Sequence, residues 1–193
     1  CDDIMMCVDK TQSVESVVKG LLLSLGQGQI IIDFSSISPD ATQALESAVA
    51  EKGVSWIDSP VSGGVAGAEA GTLAIMAGGS QSEIEKVMPL LEPLSQRVTH
   101  MGPNGSGQTT KICNQMIVSC NVLVMAEVLA MAKKSGVDAS KIPAELQGGF
   151  AESIPLKLTG IRMARKDLKE VKWKVKPLLK NLARVNGRAK NVS

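Results

Sequence analysis

Short, uniformly apolar runs recur through the first half of this chain, and they narrow the fold more than any other feature. The clearest is QIIIDF at residues 29–34, where no polar residue alternates with the isoleucines, so a strand here is expected to be buried on both faces. Residues 4–8 are another short apolar run, and residues 54–58, 73–77 and 97–101 read as further strands. Helical spacing fills the gaps at residues 14–25 and 82–94, the latter bent by Pro89. A third helix is expected from Ser38 as N-cap and Pro39 at the first helical position to Lys52, stopping at Gly53. Strands without polar alternation, interleaved with helices, predict a mostly parallel sheet covered on both faces.

The strand signal ends at Gly102. A glycine-rich turn follows, GPNGSGQTTKICNQ at residues 102–115, and then residues 111–135 contain neither Pro nor Gly before Gly136 stands ready as a C-terminal stop. Such a helix runs roughly 35–40 Å at 1.5 Å per residue. Thr109 or Thr110 is its expected N-cap, which puts Lys111 in the first turn and Asn114 and Gln115 one turn on, along the same face. A cation and two amides on a helix that otherwise carries Ile112, Met116, Ile117, Val122, Leu123, Val124, Leu129 and Met131 are either a solvated stripe or a site. Residues 142–147, 154–165 and 173–182 also read as helical, so a domain boundary is expected near Gly102.

Composition excludes several functions. His100 is the single histidine, which argues against a histidine-based triad or zinc centre. Cys1, Cys7, Cys113 and Cys120 have no metal or redox spacing and read as buried thiols in a reducing compartment. With two Trp, two Phe and no Tyr, aliphatic residues and nine Met must fill the core. Residues 1–155 hold nine Lys/Arg against seventeen Asp/Glu, net −8, and residues 156–193 hold twelve against two, net +10. Without aromatic stacking residues beyond Trp173, that basic tail reads as a solvated or cofactor-facing surface rather than a nucleic-acid site. The longest apolar window, residues 116–132, contains Asn121 and Glu127 and falls short of a bilayer span.

Three loops could carry chemistry. DSPVSGG at residues 58–64 follows a predicted parallel strand, at the end of the sheet where open α/β folds bind ligands. Gly63 and Gly64 let main-chain N–H groups approach an anion and Ser62 adds a hydroxyl, so a carboxylate is the natural guest; a purely geometric turn is the alternative. Ser35 and Ser36 also follow a strand end and could touch a ligand or cap a helix. The loop 102–108 has the glycine spacing of a P-loop, but Gln108 stands where the phosphate-binding lysine belongs, and no later strand ends in a magnesium-binding Asp. Gly26 and Gly28 lead into a strand rather than out of one, so they are not a dinucleotide fingerprint.

Taken in order, QSV at 12–14, DFSSISP at 33–39, DSPVSGG at 58–64, GTL at 71–73 with Gly78 and Gly79, and the 102–115 segment resemble the β-hydroxyacid dehydrogenase family, which includes 3-hydroxyisobutyrate dehydrogenases and tartronate semialdehyde reductases. The match runs from about Cys7 to about Leu182. The resemblance implies a partial α/β Rossmann domain with a mostly parallel sheet over residues 1–102, followed by an all-α substrate and dimerisation domain over 103–193. NAD or NADP would be the cofactor, a small hydroxyacid or semialdehyde the substrate, bound in the cleft between the domains, and a homodimer the assembly, with no membrane or nucleic-acid partner. By the same resemblance Lys111 is the catalytic acid/base; Ser62, Gly63 and Gly64 grip the substrate carboxylate, with Asn114 and Gln115 beside them; Ser36 and Lys180 contact cofactor. Relatives begin with a further strand, glycine-rich turn and helix, and continue past Val185, so the chain is expected to be an internal fragment, catalytic or an inactive paralogue retaining its binding surface. A cytoplasmic location is expected, or a mitochondrial one if a transit peptide has been lost.

Overall fold

The computed structural model describes residues 2–167 and divides into two compact units, Cys1–Ile112 and Cys113–Ser193. In the first unit, β1 (Asp3–Met6), β2 (Ile30–Asp33) and β3 (Ser55–Asp58) form a parallel set, joined by α1 (Thr11–Leu21) and α2 (Pro39–Ala50). The chain runs from β3 across Pro60 into β4 (Val61–Ser62), then through the short α3 (Gly64–Glu69) into β5 (Leu73–Gly78). β5 is antiparallel to both β3 and β4. After α4 (Gln81–Leu91), β6 (Ser95–Gly102) pairs parallel with the other side of β5.

The apolar strands behave as their composition predicts. All four residues of β2 are buried, with Ile31 packing against Val14, Val18 and Val49 on one face and Ile30 and Ile32 against Ile57, Ile84 and Leu91 on the other. A fully buried side chain of this size contributes roughly 1.5–3 kcal/mol relative to exposure, so a polar residue at Ile31 or Ile32 would open one of the two cores. Ser38 caps α2 as expected, its hydroxyl accepting the Ala41 N–H at 3.1 Å, with Pro39 at the first helical position. Pro89 lies inside α4, which ends at Leu91 and gives way to a 3₁₀ turn, Glu92–Leu94.

α5 (Ser106–Lys134) runs from the first unit into the second. At 29 residues it is about 43 Å long, and it starts five residues before the expected Lys111. Neither threonine caps it. The hydroxyls of Thr109 and Thr110 donate back to the carbonyls of Gly105 and Ser106 within the helix, and the cap is supplied from elsewhere in the sheet. Contrary to the length argument above, α5 is long and apolar enough to cross a membrane by length and composition, because its regular hydrogen bonding extends past the window 116–132 on both sides. Much of its apolar surface is exposed in the chain by itself: Met116, Ile117, Leu123, Val124 and Met131 are each about half exposed or more.

The second unit continues with α6 (Ile142–Glu145), a π-turn (Leu156–Gly160) and α7 (Ile161–Ala164), and Lys157 of the π-turn pairs with Glu152 in the preceding loop. Met125, Leu129, Ala132 and Leu156 form its buried apolar centre. The thiols depart from expectation: Cys7, Cys113 and Cys120 are all exposed, the last two because they fall on sides of α5 that no other described element covers. The expected helix at residues 173–182 and Lys180 lie outside the described residues.

Candidate active site

A single row of residues crosses the sheet where the parallel strands end. Met6 pairs with Asp33, Asp33 with Asp58, Asp58 with Gly78, and Gly78 with Gly102. Two carboxylates therefore stand at adjacent register positions, flanked by glycines. Both are fully buried, a costly arrangement unless hydrogen bonds answer the charge.

For Asp58 they do. One carboxylate oxygen accepts the Gly105 N–H at 2.8 Å and the other the Gln108 N–H at 2.9 Å, so the acid caps the first turn of α5 from 47 and 50 residues away in sequence. Anions favour this end of a helix, where main-chain N–H groups lack intrahelical partners. Burial raises the Asp58 pKa, and the main-chain donors at Gly105 and Gln108 oppose that rise. The glycine pattern of residues 102–108 follows from this packing. Gly102 and Gly105 hold left-handed φ of +129° and +91°. A Cβ at Gly107 would collide with the Met76 carbonyl and lie 2.8 Å from an Asp58 carboxylate oxygen, and one at Gly78 would lie 2.6 Å from the other. The turn that has P-loop spacing is thus folded around the protein's own carboxylate, and the N–H groups a phosphate would need are taken.

Asp33 is less well satisfied. Its Oδ1 accepts the Ser35 N–H at 2.9 Å, while Oδ2 has no partner among the described residues. Burial pushes its pKa up to about 6, with hydrogen bonds from Ser35 pulling down and the Asp58 charge adding to the rise. Ser35 in turn accepts the Val8 N–H at 2.9 Å, which stitches the ends of β1 and β2 together. Burial and the nearby Asp33 both raise the Cys7 thiol pKa, so this exposed thiol is a weak nucleophile at neutral pH.

Lys111 sits in the second turn of α5, half-buried, and its amine has no hydrogen-bond or ion-pair partner among the described residues. Burial depresses its pKa. The positive end of the helix is occupied by Asp58, and loss of solvation is what disfavours the ammonium. Asn114 and Gln115, also half-buried, bond each other through Asn114 Nδ2 and Gln115 Oε1 at 3.2 Å.

Ser36 lies between the fully buried Ser35 and Ile37 and is itself half-exposed. Ser62 ends β4 opposite Ala74, and Gly63 and Gly64 follow it, exposed, with left-handed φ of +138° and +65°. The expected loop 58–64 is therefore part strand, because β3 bends at Pro60 and carries on as β4. Lys111, Ser36 and Ser62 to Gly64 all belong to the first unit, and no hydrogen bond joins Lys111 to Ser62 among the described residues. Asp58, Asp33 and Gln108 are the polar residues the sequence left without a role. For Asp58 the only clue was a charged residue closing an apolar run.

A mostly parallel, doubly covered sheet with a long helix leaving its last strand, and polar groups gathered at the strand ends, defines a dinucleotide-binding architecture. Residues 1–102 match the family model described as the NAD binding domain of 6-phosphogluconate dehydrogenase, and residues 105–192 match the one described as NAD-binding of NADP-dependent 3-hydroxyisobutyrate dehydrogenase. The chain belongs to the NAD(P)-dependent β-hydroxyacid dehydrogenase family. It is 42% identical over 168 residues to 2-hydroxy-3-oxopropionate reductase of Escherichia coli, covering 86% of this chain and 58% of the relative. To 3-hydroxyisobutyrate dehydrogenase of Pseudomonas aeruginosa it is 38% identical, over 72% of this chain and 48% of the relative. The solved 3-hydroxyisobutyrate dehydrogenase of Mycobacterium tuberculosis superposes on all of this chain and 68% of its own with a TM-score of 0.88 at 26% identity. The chain spans about half the length of the curated relatives it matches.

Proposed function

We propose that this chain carries the proton-transfer and carboxylate-binding half of a β-hydroxyacid dehydrogenase, interconverting a small hydroxyacid and its semialdehyde with NAD or NADP. The observation that carries the reading is Lys111: a half-buried amine with no counter-ion among the described residues, its pKa depressed by burial, on the helix that leaves the strand ends. Structural lysines on a helix normally reach water or a carboxylate. One without a carboxylate partner among the described residues, its ammonium disfavoured by burial, is suited to exchange a proton.

The described residues include Ser36, three residues past the end of β2, which we assign to the nicotinamide ribose. They give the pyrophosphate no main-chain cradle at α5, since Asp58 already takes those N–H groups. When bound, the nicotinamide supplies the redox half of the reaction. Lys111 takes the hydroxyl proton in the oxidative direction and returns it in reduction. Ser62, Gly63 and Gly64 orient the substrate carboxylate; the left-handed, exposed backbone of the two glycines suits close approach by an anion. Asn114 and Gln115 stand three and four residues past Lys111, where their amides can hold the amine or the substrate hydroxyl. Lys180, from outside the described residues, is assigned to the cofactor. We divide the chain into a dinucleotide-binding domain, 1–102, and a helical substrate and dimerisation domain, 103–193, and assign a second copy of the chain to cover the exposed apolar side of α5. The free thiols suit a reducing compartment, the cytoplasm or the mitochondrial matrix.

Lys111→Ala and Lys111→Arg test the central claim. Each is expected to lower kcat by about 10²-fold or more, because Arg keeps the charge but does not release a proton at working pH. An active Lys111→Arg protein would limit the lysine to orienting substrate. Titration of NADH and NADPH against the purified chain accompanies it: micromolar binding supports the enzyme, and no binding at millimolar nucleotide supports a non-catalytic member of the family.

A further inference from the structure

Gln108 has no part in the chemistry assigned above, yet it is among the most completely held side chains in the protein. It is 1% exposed, rare for a long amide. Its Oε1 accepts the Ile37 N–H at 3.1 Å, and its Nε2 donates to the Ser35 carbonyl at 2.7 Å. These two main-chain groups bracket Ser36. Ile37 offers only a donor and Ser35 only an acceptor, so the orientation of the amide follows from its partners. The Gln108 N–H is also committed, to Asp58. Lys111 lies three residues further along the same helix, on a neighbouring face position.

We propose that Gln108 is a positioning residue that locks the Ser36 loop to the helix bearing Lys111, so that the ribose-binding hydroxyl and the proton-transferring amine keep one separation. This rests on the roles proposed for Ser36 and Lys111, but the clamp can be tested without them. The usual substitutes fail one demand or both. Asn is one methylene short, Met and Leu leave a buried N–H and a buried carbonyl unpaired, and an ionised Glu turns the donor at Ser35 into an acceptor facing an acceptor. A protonated Glu would satisfy both groups.

Gln108→Met and Gln108→Glu therefore make a discriminating pair, read by hydrogen exchange at the Ile37 amide and by kcat, KM and cofactor affinity across pH. In Gln108→Met, exchange at Ile37 is expected to quicken by roughly tenfold or more, from loss of a buried hydrogen bond, while Ile31 and Ile57 in the core strands exchange as in wild type. Its kcat is expected to fall by about tenfold, with KM and cofactor affinity changing much less. Gln108→Glu is expected to approach wild type in both readouts at acidic pH and to lose both as its buried carboxyl ionises. Unchanged Ile37 exchange in Gln108→Met overturns the clamp. Faster exchange with unaltered kcat overturns the positioning role alone, provided Lys111→Arg still abolishes turnover. A Lys111→Arg protein with the turnover of wild type removes the proposed chemistry, and the positioning role with it, whatever Ile37 does.

Discussion

Replacing Asp33 with Asn should remove a pH dependence from the stability of this protein. The carboxyl is fully buried, has one oxygen without a partner among the described residues, and stands next to Asp58 in the register. Its pKa of about 6 lies above the ordinary value of 3.8. A carboxyl whose pKa rises on folding binds protons more tightly in the native state. Its contribution is fully present below about pH 4 and is lost as pH climbs through about 6. A gap of about two units at 1.36 kcal/mol each amounts to about 3 kcal/mol in all, of which about 2 kcal/mol falls between pH 4.5 and 7.5. The Asn variant keeps the acceptor for Ser35 N–H and carries no charge. Its new N–H groups lack an acceptor, at a pH-independent cost of about 1–3 kcal/mol, so the slope is the diagnostic quantity rather than the offset. Urea unfolding of both proteins at half-unit steps from pH 4.5 to 7.5 measures it. Wild type should lose about 2 kcal/mol relative to the variant across that range. Parallel curves, or a wild type that gains on the variant as pH rises, would refute the argument that Asp33 is held against its charge.

Three further outcomes can be measured. Gly107→Ala should destabilise the fold by on the order of 1–3 kcal/mol or more, since the new methyl meets the Met76 carbonyl and the Asp58 carboxylate. Gly20→Ala, where a Cβ meets nothing within 4 Å, should stabilise α1 by up to about 1 kcal/mol; thermal melts compare the pair, and equal effects would mean the Asp58 cradle yields freely. The Lys111 amine should titrate below the ordinary lysine value of about 10.4, with the neutral amine gaining population at correspondingly lower pH. Lysine-selective NMR across pH checks this, with Lys111→Arg identifying the signal, and a midpoint at or above the ordinary value would contradict the burial argument.

How much of this could be read beforehand differs from residue to residue. The isoleucines of β2 announced a strand buried on both faces, because a run without polar alternation leaves no side for water. Ser38 and Pro39 announced the start of α2, because cap and first-turn chemistry act within four residues. Family motifs drew Lys111, Ser62 and Ser36 into one hypothesis before any geometry was known. Beyond that reach the local signals misled: Thr109 and Thr110 looked like caps, while the true cap, Asp58, comes from another strand. The cysteines read as buried because they lack metal or redox spacing, yet spacing does not say which side of an element is covered.

Local sequence thus decided which segments are strands and helices, where α2 begins and which residue types could do chemistry, since those preferences arise from contacts within a turn or a pleat. Tertiary structure alone decided that Asp33 stands beside Asp58, that Asp58 caps α5, and that Gln108 spans 71 and 73 residues to hold Ile37 and Ser35. Those outcomes depend on strand register and on where a helix enters the sheet. Buried donors and acceptors must find partners wherever the packed chain brings them, and no short window of sequence encodes that meeting.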